Sequence, residues 1–191
     1  MKFDPLFKNE GNSLVRISDG ASFSTEEIKV ICACEVAQAG ADFFSGVKEN
    51  GLFAIKVKFE KVSLGDGNYN EELLASLRDF LKVAEEKGVF GFIIPTSDKK
   101  VEDSDSADEL ISAMVHVARR IKDCTSVIGF SIPVALLEKD KGGDLGENSW
   151  SRWFVNDMNV KHSHYVYFVE RSVIQQIGMD AEVSKTEYVM Y

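Results

Sequence analysis

The feature that most constrains the fold of this chain is an alternation of short apolar segments with longer amphipathic ones. Residues 89–94 are almost wholly apolar, which is typical of a parallel strand covered on both faces. The segment before them, 71–87, places its leucines and Phe80 on one face at helical spacing. Strands that alternate with helices of about 15 residues predict successive βα units with short right-handed crossovers. The sequence therefore predicts a mostly parallel sheet.

The same patterns divide the rest of the chain into elements. The predicted strands and helices are, in turn, 13–18, 52–59, 89–94, 127–132 and 163–169, and 25–49, 71–87, 106–122, 150–158 and 171–178. Residues 1–12 are predicted to be an irregular lead-in, 138–149 a loop, and 179–191 a tail or a final edge strand. We therefore predict one α/β domain over residues 1–191, with a sheet of five or six strands.

The segment 25–49 fits two patterns. Its apolar residues alternate from Ile28 to Val36 as in a strand, whereas the apolar stripe from Ile28 to Val47 has helical spacing. Residues 24–27 read Ser-Thr-Glu-Glu, which matches a capping box. Because a capping box starts a helix, we predict one helix over the whole segment.

Length and charge exclude several classes of protein. The 191 residues are too few for a complete eight-stranded (β/α) barrel, which usually needs about 250. The formal net charge is −9, and no dense run of Lys and Arg offsets it locally. A field of this sign repels phosphate backbones and anionic lipids, so we expect neither nucleic acid nor a membrane as a partner.

The cysteines and the start of the chain bear on location. There are 3 cysteines in no disulfide pattern, the first eight residues contain no apolar leader, and no stretch reaches about 18 apolar residues. These features predict a cytoplasmic protein.

Four stretches of the chain follow one another in a recognisable order. A helix ends in Gly before a strand in 48–57, residues 67–74 lead into the next helix, 84–94 step into a third strand, and 127–130 start a fourth. Together they resemble the (β/α)-barrel glycoside hydrolases that include endoglucanases and mannanases. The resemblance covers residues 40–132 and implies an incomplete TIM-barrel-like domain.

The residues that carry catalysis in that family are replaced in this chain. Lys56 stands where the family has an arginine, which makes Lys56 a candidate binding residue, and residues 95–98 stand where it has an Asp-x-His motif. Pro133 and Val134 occupy the positions of the family's Asn-Glu, whose Glu is the general acid/base. Because valine cannot transfer a proton, the resemblance implies a domain without the catalytic pair.

Ligands of parallel α/β sheets bind beyond the carboxyl ends of the strands. The predicted ends are 18–19, 60–61, 95–98, 131–134 and 170–171. Asp98 and Glu170 are carboxylates at these ends, and they are the candidate catalytic residues if they are partly desolvated. The alternative is that each is a solvated loop carboxylate or a helix cap.

Aromatic residues are concentrated late in the chain. Trp150 and Trp153 share one face of a predicted helix, and Tyr165 and Tyr167 lie in the following strand. An exposed platform of this kind binds sugar rings or a partner protein. Packing of a lid helix against the core is the alternative.

Metal and cofactor signals are weak. His162 and His164 would face one side of a predicted strand, but a third ligand at matching spacing is missing, so no metal is predicted. Cys32 and Cys34 would point about 200° apart on the predicted helix, which favours buried structural thiols. The chain contains no glycine-rich phosphate-binding motif, and we predict no cofactor.

These observations predict a non-catalytic, pseudoenzyme-like domain that is related to glycosidases and binds a carbohydrate or a protein partner. Two alternatives stay open: a small hydrolase that uses Asp98 and Glu170, and a structural domain of a larger assembly. Residues 184–191 could pair along a sheet edge with a second copy, which predicts a homodimer.

Overall fold

A computed structural model describes residues 3–11, 13–140, 149–177 and 188–191. Its strands are β1 Phe7–Glu10, β2 Ser13–Arg16, β3 Ser22–Phe23, β4 Ile28–Cys32, β5 Leu52–Lys58, β6 Ser63–Gly65, β7 Asn68–Tyr69, β8 Phe90–Thr96, β9 Val127–Ser131, β10 Val166–Val169 and β11 Val189–Met190. Its helices are α1 Val36–Ala39, a 3₁₀ helix Gly40–Gly46, α2 Phe59–Val62, α3 Glu71–Glu86, α4 Ser104–Ile121, α5 Val134–Lys139, α6 Trp150–His162 and α7 Arg171–Ile177.

Six strands of the described ranges form one parallel sheet in the order β4-β5-β8-β9-β10-β11. This spatial order is also the order along the chain, so each crossover leads to the neighbouring strand, as βα units require. The predicted α/β class with a mostly parallel sheet is confirmed. Within these residues no ladder joins β4 to β11, the two edge strands.

The longer helices begin where the sequence supplies a cap. The Asn70 side chain accepts a hydrogen bond from the amide of Leu73 at the start of α3. Asp103 and Ser106 form a reciprocal capping box at the start of α4. Both helices then bury one apolar face against the sheet, together with α6, and this face forms the larger core of the molecule.

The other face of the parallel sheet has an apolar cluster of its own. Phe92 on β8 stacks on Phe168 of β10, with ring centroids 4.0 Å apart and planes inclined by 10°. Phe7 and Phe23 cover this cluster from a small antiparallel sheet made of β1, β2 and β3. In β1 the buried Phe7 alternates with the exposed Lys8, and β2 buries both Leu14 and Val15, so one face of this sheet packs on the cluster.

The beginning of the chain differs from the prediction. Phe7–Glu10 is a strand rather than part of an irregular lead-in, and the predicted strand over 13–18 pairs antiparallel with it as Ser13–Arg16. The predicted strand end at 18–19 therefore belongs to the antiparallel sheet and does not lie at the carboxyl edge of the parallel sheet.

The predicted helix over 25–49 is wrong. Ile28–Cys32 forms β4, which pairs with β5 from Leu52 to Lys56, and only short helical segments follow it. The capping box does not form, because the Ser24 hydroxyl accepts from the amide of Glu26 instead. Residues Ile28–Cys32 form a strand rather than a helix because the buried strand β5 supplies hydrogen-bond partners along their whole length.

The elements β5, α3, β8, α4 and β9 lie within two residues of their predicted bounds. The helices α2 and α5 and the β6–β7 hairpin are not among the predicted elements, and the end of α5 overlaps the start of the predicted loop over 138–149. α6 runs on to His162, four residues beyond the predicted end, so β10 starts later than the predicted strand. The predicted helix end at Gly178, residues 141–148 of the predicted loop over 138–149, and residues 179–187 of the predicted tail over 179–191 lie outside the described residues. No helix among the residues described is both long and apolar enough to cross a membrane.

Candidate functional site

The carboxyl edge of the parallel sheet is the side on which its six strands end, and polar residues collect there. Lys56 is paired in register with Cys32 on one side and Ile94 on the other, so these side chains share one face. Ser131 is paired with Phe168 on that face. The edge therefore combines a lysine and a hydroxyl with the top of the Phe92–Phe168 stack.

Asp98, the first candidate catalytic residue, is exposed beyond the end of β8. Its carboxylate forms an ion pair with Lys58, and its side chain is 73% exposed. The hydrogen bond to Asp98 raises the pKa of Lys58 above its ordinary value. This setting matches that of a solvated loop carboxylate, because the carboxyl group is neither buried nor in an apolar environment.

Glu60 organises the turn that carries Asp98. Its Oε1 accepts hydrogen bonds from the Ser97 hydroxyl at 2.8 Å and from the amides of Asp98 at 2.9 Å and Lys99 at 3.2 Å. Burial opposes ionisation, but these hydrogen bonds outweigh it and lower the pKa of Glu60. Oε2 is buried and has no hydrogen-bond partner among the residues described. Glu60 is thus an ionised, fixed carboxylate that sequence reasoning did not single out.

Glu170, the second candidate catalytic residue, is half-buried and directly follows β10. Its carboxylate accepts a hydrogen bond from the Ser172 hydroxyl. Its carbonyl oxygen accepts from the amides of Val173 and Ile174 in the first turn of α7. The Glu170 backbone therefore helps to start α7, which agrees in part with the alternative of a helix cap. Its carboxylate lies at the carboxyl edge.

Tyr191 lies next to Glu170 at this edge, and sequence reasoning also missed it. Its ring packs edge-on against Phe92, with centroids 5.0 Å apart, and its hydroxyl is 3.1 Å from the Ser131 Oγ. Burial raises the pKa of Tyr191 to about 12, the Ser131 hydrogen bond opposes the shift, and the charge of Glu170 adds to it. The phenol is therefore neutral and can both donate and accept a hydrogen bond.

Position 134, which the resemblance assigns to the acid/base, follows the same edge. Val134 is the first residue of α5, after Pro133, and it is half-buried. Its side chain offers neither a proton nor a lone pair to a ligand at this edge.

The thiols of Cys32 and Cys34 are close together rather than on opposite sides of a helix. Cys32 ends β4 and Cys34 is exposed in the following turn. A hydrogen bond to Cys32 is the main cause of a raised pKa of Cys34. Of the three thiols only Cys124 is buried, so the prediction of buried structural thiols does not hold for the pair.

The late aromatic residues do not form an exposed platform. Tyr165 and Tyr167 face the helices and are 6% and 7% exposed, and burial raises the pKa of both phenols. The Tyr167 hydroxyl donates to the Asn159 side chain at 2.9 Å. Trp150 and Trp153 are half-buried against the larger core. The structure thus places these four residues as core packing, which was the alternative to a binding platform.

His162 and His164 do not share a strand. His162 ends α6 and is 2% exposed, whereas His164 lies in the turn before β10. Burial is the main reason that the pKa of His162 falls to about 4. Their ring centroids are 6.2 Å apart. Among the described residues no group of three or more His, Cys, Asp or Glu side chains is arranged to hold a metal ion.

Comparison with known proteins supports the fold alone. No family model matches the chain, and no curated protein matches its sequence. Among solved structures, the chain is similar to a glycoside hydrolase family 5 enzyme from Prevotella bryantii B14, with a TM-score of 0.50 and 11% sequence identity. The similarity covers 73% of this chain and 48% of that enzyme, so the chain spans about half of the enzyme's length. A weak structural resemblance to glycoside hydrolases is therefore confirmed.

Proposed function

We propose that this chain is a non-catalytic, glycosidase-related domain that binds a carbohydrate at the carboxyl edge of its parallel sheet. The observation that carries the proposal is the set of groups at that edge. Lys56, Glu170 and the Tyr191–Ser131 hydroxyl pair collect there, while Val134 stands at the position of the general acid/base.

The chemistry of these groups suits a ligand rich in hydroxyl groups. Every sugar hydroxyl both donates and accepts, so it is satisfied by an ammonium donor, a carboxylate acceptor and neutral hydroxyls placed side by side. The neutral Tyr191 phenol can both donate and accept, and the carboxylate of Glu170 can accept. The half-buried ring of Tyr191, which packs edge-on against Phe92, offers an apolar surface for the C–H face of a sugar ring.

Two observations favour binding over hydrolysis by Asp98 and Glu170. Asp98 is exposed and already paired with Lys58. In addition, Asp98 follows β8 and Glu170 follows β10, and β9 separates these strands. Two inter-strand spacings amount to about 10 Å, which is wider than the roughly 5–5.5 Å between the carboxyl groups of a retaining glycosidase.

Calorimetric titration with cellotetraose and mannotetraose tests the proposal. We expect binding to the unaltered protein and a loss of about tenfold in affinity for Lys56→Met and Glu170→Gln, since each removes a charge-assisted hydrogen bond. The matched control is Lys87→Met, which removes an exposed lysine beyond the end of α3 and should leave affinity unchanged.

The alternatives give different results. Turnover of aryl glycosides that Glu170→Gln abolishes would establish a hydrolase and overturn the proposal. Absence of both turnover and binding across glucan and mannan oligosaccharides would overturn it in favour of a structural domain. The expected homodimer and cytoplasmic location stay predictions; of the segment 184–191, the described strand β11 is buried.

A further inference from the structure

A cavity lies on the side of the molecule that the helices cover. It has a volume of about 670 Å³, and none of its lining residues belongs to the carboxyl edge. The β6–β7 hairpin and the start of α3 form one wall, α4 forms the floor from Ser112 to Arg119, and α6 forms the other wall. We call this cavity the α4 cleft.

Hydrogen bonds orient the side chains where the first wall meets the floor of the cleft. The guanidinium of Arg119 lies 3.0 Å from His116 Nδ1, and because a guanidinium only donates, Nδ1 must be the acceptor. His116 Nε2 therefore carries the proton and donates it to Glu71 Oε1 at 2.8 Å. Glu71 also accepts from Arg120, at 2.9 Å. The ring of Tyr69 stacks on His116 with centroids 3.9 Å apart, which fixes the aromatic surface of this wall.

The opposite wall presents groups that are free to meet a ligand. Asp157 and Lys161 lie one turn apart on α6 and both line the cleft. Asp157 is half-buried, and its carboxylate accepts no hydrogen bond from another residue in the described part of the chain. Val160, on the same wall, is 76% exposed, which is high for a large apolar side chain.

The composition of the two walls selects the class of ligand. Carboxylates and cations occur on both walls, so a polyanion and a polycation are each repelled by part of the cleft. A neutral ligand with many hydroxyl groups meets neither penalty, because its hydroxyls donate to Asp157 and accept from Arg119 and Lys161. The apolar surfaces of Tyr69 and Val160 match the C–H faces of such a ligand.

We propose that the α4 cleft is a second carbohydrate-binding site, distinct from the carboxyl edge and suited to a short oligosaccharide. This inference rests on the proposed function, because it takes the same ligand class. Its volume lies within the range of roughly 300–1,000 Å³ that small-molecule sites occupy.

Titration of the isotope-labelled full chain with cellotetraose and mannotetraose, followed by the backbone amide resonances, tests the inference. We expect shifts at Asn68, Tyr69 and His116 and along Asp157–Lys161, together with a separate set at the carboxyl edge. Asp157→Asn should weaken the cleft shifts about tenfold and leave those at the carboxyl edge unchanged. Arg119→Gln, at an exposed position, gives a second variant with the same expected result.

The matched control is Asp79→Asn, which makes the same chemical change at an exposed position on α3 outside the cleft. Shifts confined to the carboxyl edge would overturn the second site and keep the proposed function. Shifts confined to the cleft would keep the second site and overturn the proposed location of binding. Shifts at neither place, with both oligosaccharides at millimolar concentration, would overturn both.

Discussion

The Thr25 hydroxyl donates a 2.9 Å hydrogen bond to the carbonyl oxygen of Met190. Thr25 precedes β4, one edge of the parallel sheet, and Met190 belongs to β11, the other edge. When the register is extended across the sheet from β11 to β4, Met190 lies level with Ala33. The residue to which Met190 is actually hydrogen-bonded, Thr25, precedes Ala33 by eight positions. A side-chain hydrogen bond thus joins the two edges of the sheet, between which the described residues form no ladder.

Replacing Thr25 with valine should destabilise the protein by about 1 kcal/mol, because the shape is kept while the hydrogen bond between the two edges is lost. The measurement is the free energy of unfolding from urea denaturation. Thr25→Ser keeps the hydroxyl and is the control. A loss in the serine variant as large as that in the valine variant would show that the methyl group, not the hydrogen bond, matters.

Acid should destabilise the fold through His162. Its pKa is about 4 in the folded protein against an ordinary histidine pKa of 6.5, mainly because of burial, and the charges of His164, Lys122 and Lys161 add to the shift. The unfolded state therefore takes up the proton first, so the stability from the neutral ring is complete above pH 6.5 and is lost as the pH falls towards 4.

The expected loss from this one group between pH 7.5 and pH 5 is about 2 kcal/mol. His162→Leu should remove that part of the pH dependence, whatever its effect on stability at pH 7.5. Urea denaturation of both proteins at the two pH values measures the difference. An unchanged pH dependence in the variant would mean that the ring is solvated in solution.

Glu60→Gln should lower the free energy of unfolding by about 1 kcal/mol at pH 7, because three hydrogen bonds lose their charged acceptor. The pKa of Glu60 is lowered in the fold, so its contribution is present above the ordinary glutamate pKa and disappears as the pH falls through the lowered value. The two proteins should therefore become equally stable in acid. Glu86→Gln, at an exposed site on α3, is the control and should change stability by less than about 0.5 kcal/mol.

Gly129→Ala should cost about 3 kcal/mol or more, since a Cβ at this position overlaps the carbonyl group of Val166 on the neighbouring strand. Backbone on a central ladder cannot move without separating β9 from β10. Gly46→Ala is the matched control, because its Cβ meets only the flexible end of the Lys29 side chain. Circular dichroism during thermal unfolding compares the two, and equal melting temperatures would contradict the close approach of β9 and β10.

The sequence predicts the middle of the fold well because the residue pattern of each element there fits only a helix or only a strand. α3 is predicted over 71–87 and runs from Glu71 to Glu86, with a side-chain cap at Asn70 and a single apolar face. β8 is almost wholly apolar and is buried on both faces. The failure at β4 has the opposite cause, because a four-residue capping pattern competes with a short alternation, and only the neighbouring strand decides between them.

The candidate site is less predictable from sequence because its contacts join distant residues. The general rule for strand ends correctly places Asp98 and Glu170 beyond β8 and β10. It does not reveal that Lys58 neutralises Asp98 or that Tyr191 meets Ser131, since no local pattern encodes these pairs. Alternation in a strand as short as β10 also leaves open which face is outermost, so the burial of Tyr167 follows only from packing.

The stack of Phe92 on Phe168 determines how deep a ligand at the carboxyl edge can reach. Because these two buried rings fill the space between the strands, a sugar chain bound at this edge would lie on a shallow surface and could not enter a deep cleft. Contacts from one side only would leave the far hydroxyls of a bound sugar in water.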